Sequence, residues 1–228
     1  MSDNGMDEQT LRRLLDAVRD RLAEMDSEVD FDADPTMRPL RALLRVQDAM
    51  AGAGYAAALG DEEAVVELLA VVARWSVVLL TETPVDEEGH DALTLVNGIY
   101  GAAVSGEKDA LGVLAAVDVD ELGSSGLVLT PMVSRVAAAV SALAAGRPVQ
   151  PAPPVPDDTA DAYWALQAVA AAAYSHGDEP AAEAALDRLS TVHGIAYATS
   201  DLEGTPARYL RLPERGLRAL GRRARPES

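Results

Sequence analysis

Apolar residues in this chain recur at the spacing of a helix, and they do so from one end to the other. Leu11, Leu14, Leu15, Val18, Leu22 and Met25 follow the i, i+3, i+4, i+7 pattern of a single stripe, with Arg12, Arg13, Asp16, Arg19 and Asp20 elsewhere around the same helix. The composition agrees. Alanine fills 43 of the 228 positions and aromatics only nine, which suits closely packed helices rather than sheets. About half the residues are apolar, enough for a real core. There is no cysteine, so disulfides, thiolate metal sites and cysteine nucleophiles are excluded.

Helix starts and stops can be read along the chain. Pro39 suits a first turn and opens a helix to Leu59, whose last third is nearly all Ala and Gly, so a neighbour can approach closely. Gly60 ends it, and Asp61-Glu62-Glu63 start the next with acids at the positive end of the helix dipole. Ala64–Leu80 is apolar on nearly every face and is expected to be the buried central helix. The run holds Glu67 and Arg74 and is too short for a bilayer span. A loop over Thr83–Gly89 precedes a helix from His90 to Val104, and a short one follows, ending near Ala116. Residues 117–129 form a connector. Thr130-Pro131 reads as cap and first residue of a helix to Ala145. Residues 146–157 are a proline-rich, semi-rigid crossover, with five prolines between Arg147 and Asp157. Helices over Asp158–Ser175, Glu179–Tyr197 and about Pro213–Arg223 complete the chain.

Three segments share one design: Tyr55…Gly60-Asp61, Tyr100…Gly106-Glu107 and Tyr174…Gly177-Asp178 each read as helix end, glycine, then acid-rich helix start. The spacing between the glycines is irregular, so this is hairpin turn chemistry rather than a strict repeat. The fold expected is all-α: about eight helices in irregular stacked antiparallel hairpins around a buried central helix, in one domain over 1–228. Residues 158–228 are too few for a core of their own and should dock on the first part.

Catalytic and metal motifs fail on spacing. Asp26, Glu28, Asp30, Asp32 and Asp34 alternate like a calcium loop, but the sixth and twelfth positions are Phe31 and Met37 from Asp26, or Pro35 and Arg41 from Asp30. The motif needs glycine and glutamate there. Asp86-Glu87-Glu88-Gly89-His90-Asp91 is the densest group of potential ligands, yet adjacent residues cannot easily converge on one ion, so a surface role is the better reading. No nucleophile elbow, P-loop or dinucleotide fingerprint is present. His176 falls in a turn, and His193 and Tyr197 share a helix face as a structural pair. An enzyme using His193 with a carboxylate from another helix is the weakest of the readings, and no metal or cofactor is expected.

Charge says more. The formal net charge is −18, which disfavours nucleic acid and anionic membrane and suits a basic protein partner, although solubility or salt adaptation would leave the same imprint. Residues 208–228 hold seven arginines against two glutamates. They would either neutralise the protein's own acidic surface, the simpler account, or bind an acidic ligand. The acidic, polar N-terminal residues are unlike a secretory signal, so a cytoplasmic location is expected.

The stretch Ala182-Glu183-Ala184-Ala185-Leu186-Asp187-Arg188-Leu189, then His193 and Tyr197, then Leu210…Leu212-Pro213…Gly216-Leu217, is similar to the helical immunity proteins of bacterial polymorphic-toxin systems, nearest the immunity protein 49 family. The resemblance covers about 50 residues of sequence and implies binding rather than catalysis: sequestration of a co-produced toxin. Asp86, Glu87, Glu88 and Asp91 are the expected contact residues. The alternative is a helical-repeat-like adaptor that binds a peptide or protein partner in a concave apolar groove. Oligomeric state is not readable.

Overall fold

The computed structural model describes residues 6–27, 37–84, 89–122, 131–152, 154–157, 159–199 and 205–224, the side chains of 159 and 196–199 excepted. Within them the chain is all-α. In order come α1 (Glu8–Ser27), α2 (Arg38–Leu59), α3 (Glu62–Glu82), α4 (Ala92–Ser105), α5 (Lys108–Ala115), a 3₁₀ turn (Val119–Glu121), α6 (Pro131–Ala144), α7 (Thr159–Ser175), α8 (Glu179–Thr199), α9 (Ala207–Leu210) and α10 (Leu212–Ala224).

The hairpin turns have the same backbone solution each time. Gly60 adopts φ 72°, Gly106 φ 81° and Gly177 φ 74°, a left-handed conformation that costs glycine little and a residue with a Cβ much more. The next N–H then reaches back to close the helix: Asp61 to the Ala56 carbonyl, Glu107 to Ala102, Asp178 to Ala173. At two of the three turns the same acid caps the following helix. Asp61 accepts from the Ala64 amide at 3.0 Å, and Asp178 accepts from Ala181 at 3.1 Å. Stop and start signals therefore sit on adjacent residues, and the chain has to reverse.

Neighbours in sequence pack as neighbours in space: α1 on α2, α2 on α3, α3 on α4, α7 on α8. The crossover then lets α7 pack on α6, and α10 closes against α4 and α7, so the C-terminal helices dock on the first part of the chain. One apolar cluster runs from Leu15 to Leu220. Helix α3 lies in that core between α2 and α4, but α4 is enclosed on more sides, meeting α3, α5, α6 and α10.

Small residues make these approaches possible. On α2, Ala42, Ala49, Ala53 and Ala56 are all fully buried. A Cβ on Gly101 of α4 would lie 2.9 Å from the Leu69 carbonyl oxygen of α3, and one on Gly98 would lie 2.6 Å from the Cβ of Ser76. Added carbons at Gly216 and Gly221 of α10 would overlap the rings of Tyr100 and Tyr174. Backbone meets backbone at Gly101, and backbone meets side chain at Gly98, Gly216 and Gly221.

Among the described residues, one helix, α3, is long and apolar enough to cross a membrane, and half of its apolar window is buried within the protein. The 17-residue run read from the sequence underestimates it, because the helix extends to 21 residues. Its flanking charges are engaged: Glu62 accepts two hydrogen bonds from Arg215, at 2.6 and 2.9 Å, and Glu82 pairs with Arg38 at 3.0 Å.

Gly216→Ala is expected to lower the free energy of unfolding by about 1–3 kcal/mol, because the added methyl drives into Tyr100. Gly112→Ala, on an exposed stretch of α5 where an added Cβ meets nothing within 4 Å, should raise it by about 0.5–1 kcal/mol. Urea melts of the two variants check both signs.

Candidate functional site

Three of the four acids expected to form a contact surface, Asp86, Glu87 and Glu88, lie outside the described residues. The fourth, Asp91, is not a surface acid. It is 6% exposed and caps α4, accepting from the Thr94 amide at 2.7 Å. Helix α4 therefore starts at Ala92 rather than at His90, and the Asp91 carboxylate is committed to the helix end. His90 is buried beside it, with Nδ1 making no hydrogen bond.

From His90 a concave flank opens along α5, the 3₁₀ turn, α6 and the crossover. It is a chain of three hollows that share walls. The first, about 270 Å³, is lined by Leu80, Thr81, His90, Val113, Val117, Asp118 and Glu121, among others. Ala116, Val117 and Asp118 also border the second, about 720 Å³, floored by Ala115, Ala138, Ala142 and Ala145. The third, about 360 Å³, shares Ala138, Ala142 and Pro148, and runs under Val149–Ala152. Ser141 donates to the Ala115 carbonyl at 3.1 Å, holding α6 to α5 across the floor.

Local sequence explains this shape. Helix α5 has only eight residues, and the 3₁₀ turn that follows is set by Asp118, whose side chain accepts from the Asp120 amide at 3.0 Å. Pro148 and Pro151 keep the crossover free of helix beside α6, and alanines on α6 leave space where larger side chains would fill it. The rim is polar in charge as well as in character. Asp118, Asp120 and Glu121 stand exposed towards one end, Arg147 lines the middle hollow with Asp118 and Asp120, and Arg135 borders the far end.

A second polar group is enclosed between α4, α7, α8 and α10. The phenol of Tyr100, fully buried, donates to Gln167 Oε1 at 2.9 Å, and Gln167 Nε2 donates to the Tyr163 carbonyl at 3.3 Å. His193 is 2% exposed, with Nε2 3.2 Å from the Arg208 carbonyl oxygen and its ring 6.0 Å from that of Tyr163. Burial moves the His193 imidazole below its ordinary value of 6.5, which favours the neutral ring. Glu214 is 3% exposed and neither of its carboxylate oxygens has a hydrogen-bond partner, so it does not pair with His193. Burial raises its carboxyl above the ordinary 4.5, against the pull of its own backbone N–H and of Arg211, Arg218 and Arg215. The side chain of Tyr197 is outside the described residues, which leaves the expected His193–Tyr197 pairing without a geometry. His176 lies in its turn, exposed, as expected.

Two of the C-terminal arginines neutralise the protein's own acids, while Arg211 donates to Ser190 and Arg208 lies over the Tyr209 ring. Arg215 bridges to Glu62 of α3 and Arg218 to Glu183 of α8 at 3.0 Å, and Glu183 also accepts from Tyr174. The Arg215 hydrogen bond, with its charge, holds the Glu62 carboxyl below the usual range. Among the described residues, no three His, Asp or Glu side chains are placed to hold a metal ion. Comparison with known proteins found no family model, curated protein or solved structure that matches the chain.

A groove belongs to the adaptor reading of the sequence, but neither its place along α5, α6 and the crossover nor the burial of Glu214 is among the sequence expectations. For Glu214 a signal exists: with Pro213, Leu217, Leu220 and Gly221 it falls on the inner stripe of α10. The groove has none, since it arises where small residues from three separate segments meet. Gln167→Leu is expected to cost about 1–3 kcal/mol by leaving the Tyr100 phenol unpaired, and the double variant with Tyr100→Phe to recover part of that loss. Urea melts of the single and double variants measure the coupling.

Proposed function

We propose that this chain is a non-enzymatic binding protein that acts in the cytoplasm by sequestering a basic protein partner. An immunity protein masking a co-produced toxin is the form that best fits the resemblance of its C-terminal third. The observation that carries the reading is the charge distribution. The net charge is −18, and several arginines that could offset it outwardly are engaged by the protein's own acids, Arg21 by Asp48, Arg38 by Glu82, Arg215 by Glu62 and Arg218 by Glu183. Acids are left to face solvent, among them Asp118, Asp120 and Glu121 on the groove rim.

A toxin that acts on nucleic acid carries a basic surface. An acidic partner both speeds its encounter and competes with phosphate for that surface. The exposed rim acids extend the contact set expected from Asp86, Glu87 and Glu88, and Asp91 drops out of it. The groove itself favours a second reading, an adaptor that seats a partner's peptide, because that reading requires a concave apolar surface and the floor of the groove is formed by Ala115, Ala138, Ala142 and Ala145.

The test is co-purification of the tagged chain with the product of the gene beside its own, at about 50 mM salt where surface charge is weakly screened. A stable complex is expected. Asp118→Asn/Asp120→Asn/Glu121→Gln and Asp86→Asn/Glu87→Gln/Glu88→Gln are each expected to slow association by about tenfold. No complex at low salt would count against sequestration of that product. Loss of binding on Ala142→Leu, with both charge variants silent, would favour the adaptor.

A further inference from the structure

Helix α10 is seated under unusual terms. It carries Glu214 into the interior, 3% exposed, with neither oxygen hydrogen-bonded. A buried carboxylate without a partner is strongly disfavoured, whereas the neutral acid is tolerated. The helix is also entered through Arg211, a non-glycine residue in the left-handed region at φ 46°, ψ 48°, a strained conformation held by what surrounds it. And its backbone lies directly on two tyrosine rings, Tyr100 under Gly216 and Tyr174 under Gly221.

We propose that α10 is a proton-held latch, docked on α4 and α7 while the Glu214 carboxyl is neutral and loosened when that carboxyl ionises. The groups around it supply no counter-charge in direct contact. From α4 comes the Tyr100 phenol, which donates to Gln167. From α7 come Tyr163, which meets the His193 ring, and Tyr174, whose hydroxyl donates to Glu183. Helix α8 contributes Glu183, bonded to Arg218, and the neutral-favouring His193. Helix α6 has one charged residue, Arg135, which borders the third hollow. Helix α9 brings Arg208, whose guanidinium lies over the Tyr209 ring and whose carbonyl meets His193. The helix's own arginines are directed elsewhere: Arg211 to Ser190, Arg215 to Glu62 and the Leu210 carbonyl, Arg218 to Glu183.

The sign follows from burial. Docking raises the Glu214 carboxyl above the 4.5 it has when released, so its contribution to docking is complete below that pH. The contribution is lost as pH rises through the docked value. Tyr100 and Tyr174 are both shifted upward and stay protonated throughout. Release would uncover Leu217, Leu220 and the Tyr100 ring, all buried when the helix is docked.

Hydrogen–deuterium exchange of the full chain, corrected for the intrinsic pH dependence, tests this between about pH 5 and about pH 8. Protection of α10 is expected to fall severalfold across that range while protection of α3 holds. In Glu214→Gln the protection of α10 should stay level. The proposal is overturned if wild-type α10 protection is flat or falls only in step with α3. It is equally overturned if Glu214→Gln retains the wild-type slope. Glu214→Leu, neutral and apolar, gives the same reading should the glutamine variant fold poorly.

Discussion

Close contact between helix backbones is the constraint on which the rest of this structure depends. With 43 alanines and 17 glycines, the chain has too few large apolar side chains to fill wide gaps between helices, so the helices must come together. Gly98 and Gly101 of α4 meet α3, and Gly216 and Gly221 of α10 meet tyrosine rings. Each contact removes space that a larger residue would otherwise have to occupy. Dispersion between tightly apposed surfaces then does what large apolar side chains do in other cores. The same economy explains the groove: where alanines of α6 face no close neighbour, the result is a hollow rather than a packed layer.

Charge is distributed in two layers. Inside, arginines serve as structural cations. Arg45, fully buried, donates to the Met25 carbonyl at 2.7 Å and lies over the Trp75 ring at 4.1 Å, tying the end of α1 to α2 and α3. Arg215 and Arg218 join the last helix to α3 and α8. Outside, the acids outnumber what remains. The outer layer is the feature a basic partner would meet, and the inner one keeps a chain of this charge compact.

Much of the architecture is legible from residue order. The glycine–acid pairs at Gly60-Asp61 and Gly177-Asp178 fix both the end of one helix and the start of the next, and no tertiary contact is needed to read them. Proline runs and i, i+3, i+4 stripes place the crossover and the inner faces in the same way. What order does not reveal is which member of a polar cluster turns inward. Asp91 looks like one more acid in an exposed run, but as the last residue before α4 its carboxylate is drawn to the free amides of the first turn and is buried there. Arg45 and Glu214 sit within apolar stripes, where their charge argues for exposure and their register for burial. Register prevails for Arg45 because a helix-end carbonyl and an aromatic face receive it. For Glu214 it prevails at the expense of an unpaired carboxyl. The groove depends on three segments meeting, and no single stretch of sequence carries it.

The central functional claim is that surface charge drives association with a basic protein. Its most direct measurement is the association rate constant for the neighbouring gene's product, by stopped-flow, as ionic strength is raised from about 50 mM to about 500 mM. A steep fall, of about tenfold or more and with little change in dissociation rate, is the predicted result. An association rate indifferent to salt would contradict it.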